Sequence, residues 1–321
     1  MINYLFQGID FGILALLGIM TAFFVTILLM WKGRGILPKD LGREFAYNGK
    51  LSAGKPQGAG FLFVLVFVGT VFIFGKVNVE ITIYLILVLA AMVTGFLDDC
   101  AKAPWGEYKK GILDLIIAVM LAITYLNFNT NKIYLASVNK ILTIPTVLFG
   151  VLIVVLVWTS INVTNCSDGV DGLSGTLAII TLASVYVISL LMRADAAFTY
   201  LILVFIVNIL GYLWFNATPS QLLMGDAGSR AMGLFIAVAV LKTGAPVLYL
   251  LVAAVLILDG GLGLLKVALL RFLKIRIMKN IRTPLHDHVR KVWNWSNTHT
   301  VYRFSIIQLV LSVLAIFLVI Y

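Results

Sequence analysis

Apolar stretches of about 20 residues recur along the whole chain, and they constrain its fold more than any other feature. A helix of that length crosses the roughly 30 Å hydrocarbon core of a bilayer. Only 12% of the 321 residues are charged, whereas a soluble domain carries roughly 25% charged residues. The sequence therefore predicts an all-α, polytopic integral membrane protein with a single transmembrane helical domain over residues 1–321.

The apolar stretches predict about ten membrane spans. Their centres lie near Leu17, Val68, Leu87, Ala118, Val154, Leu182, Phe205, Ala237, Val255 and Leu311. Span nine contains Asp259-Gly260-Gly261, and adjacent glycines destabilise a helix unless a kink or a close backbone approach requires them. We expect a bend there, with a continuation from Leu264 to Ile281 along the headgroup boundary. A straight helix that ends near Arg271 is the alternative.

Lysines and arginines are unevenly distributed among the loops that join these spans. The odd-numbered loops carry 18 of them and the even-numbered loops carry 5. Because basic loops resist translocation, we predict that the odd-numbered loops are cytoplasmic and that both termini are extracytoplasmic. The net charge of +10 on that face would attract anionic lipids and phosphorylated substrates. We expect membrane lipids as partners and no nucleic acid.

Acidic residues gather on the predicted cytoplasmic side, where 11 of the 14 lie on or toward that face. Charged side chains at membrane depth are costly, so acidic residues at span ends indicate a site. Asp98 and Asp99 close span three and are followed by Lys102 and Lys110. A divalent cation such as Mg²⁺ would relieve the repulsion between the adjacent carboxylates. A solvated helix end balanced by the lysines is the alternative.

A second polar cluster joins spans five and six. Its side chains recur every three residues, at Asn162, Asn165, Asp168 and Asp171, with Gly169 and Val170 between the last two. In a helix these four would form one slowly drifting stripe, and the glycines would let the backbone approach a ligand closely. A purely structural turn seldom needs two amides and two carboxylates in register, so the cluster indicates function.

Two further clusters lie in later cytoplasmic loops. In the first, Asn216 precedes Met224-Gly225-Asp226-Ala227-Gly228, which suits a metal ligand at a helix start whose N–H groups face phosphate oxygens; a helix cap is the alternative. In the second, Pro284-Leu-His-Asp-His288 precedes two basic residues, an arrangement that favours phosphate binding over inert surface histidines. All four clusters share one predicted face, which indicates a single polar cavity.

Together these motifs resemble the polyprenyl-phosphate N-acetylhexosamine-1-phosphate transferase superfamily. The resemblance covers nearly the whole chain and rests on Asp98-Asp99, on Asn162 to Leu173 and on Met224 to Ser229. Pro284 to His288 also resembles the Pro-Leu-His-His-His signature of the bacterial phospho-N-acetylmuramoyl-pentapeptide transferase family. Asp287 replaces the middle histidine of that signature, and Leu223 stands where the family commonly has an aromatic residue. The segment Gly54 to Gly60 follows the family's Gly-Thr-Pro-Thr-Met-Gly-Gly only loosely, which leaves the role of Lys55 open.

The resemblance implies transfer of phospho-N-acetylmuramoyl-pentapeptide from its UDP carrier to undecaprenyl phosphate. The products would be UMP and lipid I, the first lipid-linked peptidoglycan precursor. It implies Mg²⁺ as cofactor, UDP-N-acetylmuramoyl-pentapeptide and undecaprenyl phosphate as partners, and a bacterial inner-membrane location with a cytoplasmic active site. A homodimer is left open.

The resemblance also implies roles for individual residues. Asp98, Asp99, Asp226 and His286 would be catalytic, with Asp226 as the metal ligand. Substrate would be bound by Lys102, Lys110, Asn162, Asn165, Asp168, Gly169, Val170, Asp171, Asn216, Leu223, Asp287 and His288. Asp98 would deprotonate or orient the lipid phosphate for direct attack, and a two-step route through an aspartyl phosphate is the alternative.

Two other functions remain open from the sequence. One is a sister enzyme that transfers N-acetylglucosamine phosphate, which the last cytoplasmic loop disfavours. The other is a transporter or lipid flippase, which would use intramembrane acids such as Asp114 and Asp259. Transport predicts polar residues near mid-membrane in several spans, whereas here they gather at one face. We interpret Asp114 and Asp259 as helix-packing or capping residues outside the site.

Overall fold

The structure, a computed structural model, describes residues 10–42 and 49–321. These residues form twelve α-helices and one β-hairpin. The helices are α1 (Phe11–Gly33), α2 (Gly60–Phe74), α3 (Val79–Asp99), α4 (Glu107–Phe128), α5 (Thr146–Cys166), α6 (Leu173–Leu191), α7 (Ala196–Asn216), α8 (Gly225–Lys242), α9 (Tyr249–Val252), α10 (Ala254–Ala268), α11 (Leu285–Val292) and α12 (Asn297–Ile320). A short π-helical turn, Leu269–Leu273, extends α10.

The helices confirm the predicted all-α, polytopic membrane class. Seven are long and apolar enough to cross a membrane, namely α1, α3, α4, α5, α6, α7 and α12, and an eighth candidate is the bent segment Pro246–Leu273. The other two predicted spans coincide with α2 and α8, which have 15 and 18 residues. Many large apolar side chains on the outer helices are exposed, as expected where lipid rather than water is the solvent.

A small β-hairpin between α4 and α5 was not predicted. Its strands, β1 (Lys132–Leu135) and β2 (Lys140–Thr143), pair antiparallel with Ile133 opposite Leu142. The backbone N–H of Tyr134 donates to the carbonyl of Gly244 at 2.8 Å, which ties the hairpin to the end of α8. The hairpin lies in an even-numbered loop, opposite the face where the acidic clusters were predicted.

Helix α8 is the centre of the fold. Every residue from Ala227 to Leu241 is buried, and the helix packs against α2, α3, α5 and α6. Small residues permit this close packing: a Cβ on Gly95 of α3 would lie 2.3 Å from the backbone oxygen of Asp226. The end of α3 is thereby held directly against the beginning of α8.

The bend predicted in span nine exists, but its predicted position was wrong. Helices α9 and α10 meet at Ala253 with an angle of 87°, whereas α10 runs unbroken through Gly260 and Gly261. Gly260 serves a close approach instead, because a Cβ there would lie 2.2 Å from the carbonyl oxygen of Val163 in α5. The glycine pair therefore reports helix packing rather than a kink.

The side chain of Gln308 compensates for the helix break. Its Oε1 accepts from the backbone N–H of Val255 at 2.9 Å, and its Nε2 donates to the carbonyls of Leu251 and Val252 at 3.0 and 2.8 Å. An interrupted helix at membrane depth persists where neighbouring groups satisfy the freed backbone. Helix α12 thus stabilises the sharp turn that directs α10 toward the site.

Candidate active site

An acidic centre forms where α3, α4 and α8 meet. The ammonium group of Lys110 on α4 contacts both Asp98, near the end of α3, and Asp226, at the start of α8, the latter at 2.9 Å. Asp98 also accepts a hydrogen bond from the backbone N–H of Trp105 at 2.6 Å. Residues far apart in the sequence are thereby brought together as predicted.

Asp99 lies beside this centre but faces the start of α8. Its carboxylate accepts hydrogen bonds from the N–H groups of Asp226 and Ala227, both at 3.0 Å, and from the side chain of Gln57 at 2.7 Å. A carboxylate at a helix start accepts hydrogen bonds from the free N–H groups and is attracted by the positive end of the helix dipole. These two N–H groups, predicted to face phosphate oxygens, therefore contact Asp99 in the structure.

The predicted polar stripe is only partly helical. Helix α5 ends at Cys166, so Asn162 and Asn165 lie on the helix while Asp168 and Asp171 lie in the turn that follows. Asn165 donates to Asp226 Oδ1 at 3.0 Å, and Asn162 lies 3.4 Å from Asp114 Oδ2. The side chain of Asp226 is therefore held by Lys110 of α4 and Asn165 of α5.

The turn after α5 lines a cavity of about 290 Å³. The predicted residues among its lining are Asp168, Gly169, Val170, Asp171, Asn216 and Leu223. The amide of Asn216 accepts from the N–H of Gly172 at 2.8 Å and donates to the carbonyl of Leu222 at 2.9 Å, so it joins two of the loops that form the wall. We name this space the turn cavity.

Lys55 also lines the turn cavity, although its role was left open. Its ammonium donates to Ser220 Oγ at 2.8 Å and lies 3.9 Å from Asp171 Oδ2. The same segment is bound to the α7–α8 loop by backbone hydrogen bonds, including Leu223 N–H to the carbonyl of Pro56 at 2.8 Å. The loop between α1 and α2 thus supplies a positive charge to the cavity wall.

A second cavity of about 200 Å³ contains the acidic centre and shares Asp168 with the turn cavity. Among the residues that the structure describes, its lining holds five carboxylates, Asp40, Asp98, Asp99, Asp168 and Asp226, and two cationic side chains, Lys39 and Lys110. We name it the acidic cavity. This excess of negative charge favours a bound cation.

The side chains of the acidic cavity suit a cation that is bound partly by protein carboxylates and partly by substrate oxygens. In the two described ranges no three His, Cys, Asp or Glu side chains are grouped to hold a metal by themselves. Mg²⁺ commonly binds through one or two carboxylates together with substrate phosphates and water. Asp226 and Asp98 meet this requirement, and the position of the Lys110 ammonium between them marks a place where positive charge is favourable.

Asp40 was missed by the sequence analysis. It is 7% exposed and lines the acidic cavity, and its Oδ2 has no hydrogen-bond partner in the part of the chain that the structure describes. Its backbone pairs with the Lys55 segment, with Asp40 N–H donating to the carbonyl of Lys55 at 2.9 Å. Sequence offered little signal, because a lone aspartate in a basic loop looks like an ordinary solvated residue.

His286 is buried against the turn that lines the turn cavity. A Cβ on Gly169 would lie 2.3 Å from His286 Nε2, so only glycine allows the ring this close. The histidine is held by Asp259 of α10, whose carboxylate accepts from the His286 backbone N–H at 2.8 Å and lies 2.8 Å from Nδ1. Asp259 therefore supports a site residue, and its charge within an apolar span was the available signal.

Four predicted substrate-binding residues are not among the described residues that line either cavity, namely Lys102, Asn162, Asp287 and His288. Asp287 is buried, with Arg290 at 3.4 Å and Arg282 at 3.9 Å, and His288 Nδ1 accepts from the backbone N–H of Arg282 at 3.2 Å. Lys102 is exposed on the loop after α3.

The chain is similar to known proteins over most of its length. The glycosyl transferase family 4 model matches residues 81–244, a range that holds Asp98, Asn165 and Asp226. The chain is 40% identical to the phospho-N-acetylmuramoyl-pentapeptide-transferase of Treponema pallidum (strain Nichols), over 95% of this chain and 89% of that protein. It is 30% identical to the protein of the same name from Borrelia garinii subsp. bavariensis, over 82% and 81%.

Proposed function

Because this chain belongs to the phospho-N-acetylmuramoyl-pentapeptide-transferase family, we propose that it transfers phospho-N-acetylmuramoyl-pentapeptide from UDP to undecaprenyl phosphate. The phosphate of the lipid attacks the sugar-side phosphorus of the diphosphate, the bond to the UMP oxygen breaks, and UMP leaves. The products are lipid I and UMP. The sister activity with UDP-N-acetylglucosamine is an outcome that the test below distinguishes.

The observation that supports this proposal most is the contact of one ammonium, Lys110, with carboxylates from two different helices. Asp98 is the residue that orients the lipid phosphate, and Asp226 is the residue that receives the diphosphate. Phosphoryl transfer requires aligned reactants and charge neutralisation more than covalent help. Lys110 supplies a fixed positive charge between the two groups.

Asp226 is the proposed Mg²⁺ ligand, with Asp98 beside it. Asp226 and Asp98 would hold the cation, which would supply neutralisation of the negative charge that develops on the diphosphate and the leaving UMP. Asn165 keeps Asp226 Oδ1 oriented, and Asp99 fixes the backbone of the same residue through the start of α8. Asp99 therefore acts by positioning Asp226 as well as by its charge.

Direct attack is favoured over an aspartyl phosphate on Asp99. Its Oδ1 already accepts two hydrogen bonds, from Gln57 and Asp226, and its Oδ2 accepts one from Ala227. A carboxylate engaged in this way is a poor nucleophile, because donors occupy three of its roughly four lone-pair sites. Asp99 would have to leave the helix start before it could attack phosphorus.

The turn cavity is the proposed binding place for the uridine part of the donor. Asp168, which lines both cavities, would lie between the base and the diphosphate. His286, held by Asp259, would contact the diphosphate from beside Gly169 as charge develops. Leu223 provides an apolar wall without an aromatic ring.

The proposed membrane orientation follows from the basic loops. The acidic and turn cavities would open to the cytoplasm, where nucleotide-linked precursors occur, and both termini would lie outside. Seven long apolar helices make the protein multi-pass. The bacterial inner membrane is the location that fits a lipid-linked peptidoglycan precursor.

The direct test is release of UMP by the purified protein in detergent with undecaprenyl phosphate and Mg²⁺. UDP-N-acetylmuramoyl-pentapeptide is expected to support turnover, UDP-N-acetylglucosamine is not, and Asp226→Asn is expected to abolish the reaction. Turnover only of UDP-N-acetylglucosamine would identify the sister activity. Turnover of neither substrate by a folded protein would contradict the proposal.

A further inference from the structure

Two ion pairs join α4 and α8 one helical turn apart, with their charges reversed. Lys110 of α4 lies 2.9 Å from Asp226 of α8, and four residues further along each helix Asp114 of α4 accepts from Arg230 Nε at 3.0 Å. Helix α5 contributes one asparagine to each ion pair: Asn165 donates to Asp226 at 3.0 Å and Asn162 lies 3.4 Å from Asp114. The two ion pairs and the two asparagines therefore form one continuous polar network.

The ion pair between Arg230 and Asp114 is fully enclosed by protein. The side chains of Arg230 and Asp114 are 2% and 3% exposed. A buried ion pair is weak evidence of added stability, because the loss of hydration offsets the attraction between the charges. Such a pair, one turn below a proposed metal ligand, calls for an explanation beyond helix packing.

Arg230 is a potential competitor for Asp226. Residues four apart on a helix are neighbours on one face and attract each other when their charges are opposite. The Nη1 of Arg230 is buried and lacks a hydrogen-bond partner among the residues the structure describes, so this guanidinium has an unused donor. The carboxylate of Asp114 holds the Nε and Nη2 donors on the side facing α4.

We propose that Asp114 is a positioning residue that holds Arg230 away from Asp226, which keeps Asp226 available for Lys110 and for a divalent cation. Without Asp114, Arg230 would be an uncompensated buried cation whose nearest acidic neighbour on α8 is Asp226. It would turn toward that carboxylate and oppose cation binding there. This inference rests on the proposed role of Asp226 as a metal ligand.

The test measures metal binding without substrate. Mn²⁺ titrations followed by electron paramagnetic resonance would compare wild type, Asp114→Asn, Arg230→Gln and the double variant D114N/R230Q in detergent. Asp114→Asn is expected to weaken Mn²⁺ binding about tenfold, a typical coupling between contacting groups. Arg230→Gln is expected to bind Mn²⁺ at least as tightly as wild type, and the double variant is expected to recover most of the affinity.

Opposite effects of the two single variants separate this role from simple packing. If the pair only stabilised the fold, both single variants would lose affinity together with thermal stability. Glu80→Gln is the matched control, because it removes the carboxylate paired with Lys242 at 2.9 Å at the other end of α8. It should leave Mn²⁺ affinity unchanged.

Two results would overturn the proposal: wild-type affinity in Asp114→Asn, or a double variant no better than Asp114→Asn. If Asp114→Asn does not elute as a folded species, D114N/R230Q is compared with wild type instead. A large loss of Mn²⁺ affinity in this double variant, which has no Arg230 to compete for Asp226, would then overturn the proposal. Asp226→Asn shows how much of the measured Mn²⁺ binding depends on Asp226. If wild type shows no Mn²⁺ site that depends on Asp226, the metal assignment of the proposed function fails first.

Discussion

The carboxylate of Asp259 holds His286 at two points, the backbone N–H at one oxygen and Nδ1 at the other, each at 2.8 Å. Both side chains are almost fully buried. A group that orients one ring nitrogen also fixes the direction of the other, and His286 Nε2 is thereby held beside Gly169. Asp259 is thus the residue by which α10, the second part of the bent span nine, holds the site residue His286.

Replacing Asp259 with asparagine should impair catalysis through His286. Hydrogen bonds to a charged group contribute roughly 1.5–3 kcal/mol, so we expect kcat/KM to fall about 10- to 100-fold. The measurement is UMP release under saturating Mg²⁺. If Asp259 acts only through the histidine, D259N/H286A should be no slower than His286→Ala. A double variant that is much slower than His286→Ala would contradict this prediction.

A side chain at Gly169 should displace His286. The added methyl of Gly169→Ala would lie 2.3 Å from Nε2, a distance that requires the ring or the turn to move. Misplacement of a reacting group by about 1 Å can cost roughly 100-fold in rate, so we expect a large loss of kcat. Gly69→Ala is the control, because a Cβ there meets no atom within 4 Å and should leave activity unchanged.

Removing the positive charge of Lys55 should weaken binding of the UDP donor more than it slows chemistry. The side chain is partly exposed at the cavity wall, so its attraction for the diphosphate is partly screened. For Lys55→Gln we expect KM to rise about threefold to tenfold with little change in kcat, and a weaker dependence of KM on salt. Lys76→Gln, on the predicted outer side, should change neither value.

Loss of the Gln308 amide should destabilise the fold. Gln308→Leu would leave the buried N–H of Val255 at the break between α9 and α10 without its partner. The carbonyls of Leu251 and Val252 would each lose one donor, and Val252 would keep the hydroxyl of Thr181 at 2.7 Å. An unsatisfied buried polar group costs roughly 1–3 kcal/mol, so for a chain of 321 residues the apparent Tm in detergent should fall by about 2 to 5 °C. An exposed neighbour, Ile307→Leu, should leave Tm unchanged.

Thiol labelling would test the proposed orientation. Cys100 is exposed directly after α3, and a membrane-impermeant maleimide should reach it only from the cytoplasmic side in a Cys166→Ala protein. Partial burial and the charge of Asp99 raise the pKa of the Cys100 thiol. Less thiolate is therefore present at neutral pH, and labelling should accelerate as pH rises past the ordinary thiol range near 8.5.

The outer face offers the opposite control. A cysteine introduced at Lys140, in the exposed β2 strand of the hairpin, should label only from the extracytoplasmic side once both native cysteines are removed. Labelling of Cys100 and of Lys140→Cys from the same side would refute the proposed topology.

Much of the architecture followed from the sequence because hydrophobic length is a local property. All ten predicted centres fall in helices or in the bent segment, and polar residues at the ends of α3, α5 and α8 identified the acidic centre. The position of the bend did not follow. Whether Gly260 permits a kink or a close approach depends on Val163 of a different helix, which no local pattern describes.

The partners of the site residues could not be predicted from local sequence patterns either. Asp99 faces a helix start 127 residues away, and Asp259 faces a histidine 27 residues away. The sequence marks both carboxylates, Asp99 at a span end and Asp259 within a span, but it does not show which donors the fold brings near them. Asp40 was missed for the same reason.

The burial of α8 also bears on how the protein is made. This helix has almost no surface to offer lipid, yet it carries Asp226, Arg230 and Lys242. The carboxylates that neutralise its two cations, Asp114 and Glu80, belong to helices synthesised earlier. When α8 leaves the ribosome, its counter-charges are already within the membrane, so its insertion can be completed by assembly with α3 and α4 rather than by its own affinity for lipid.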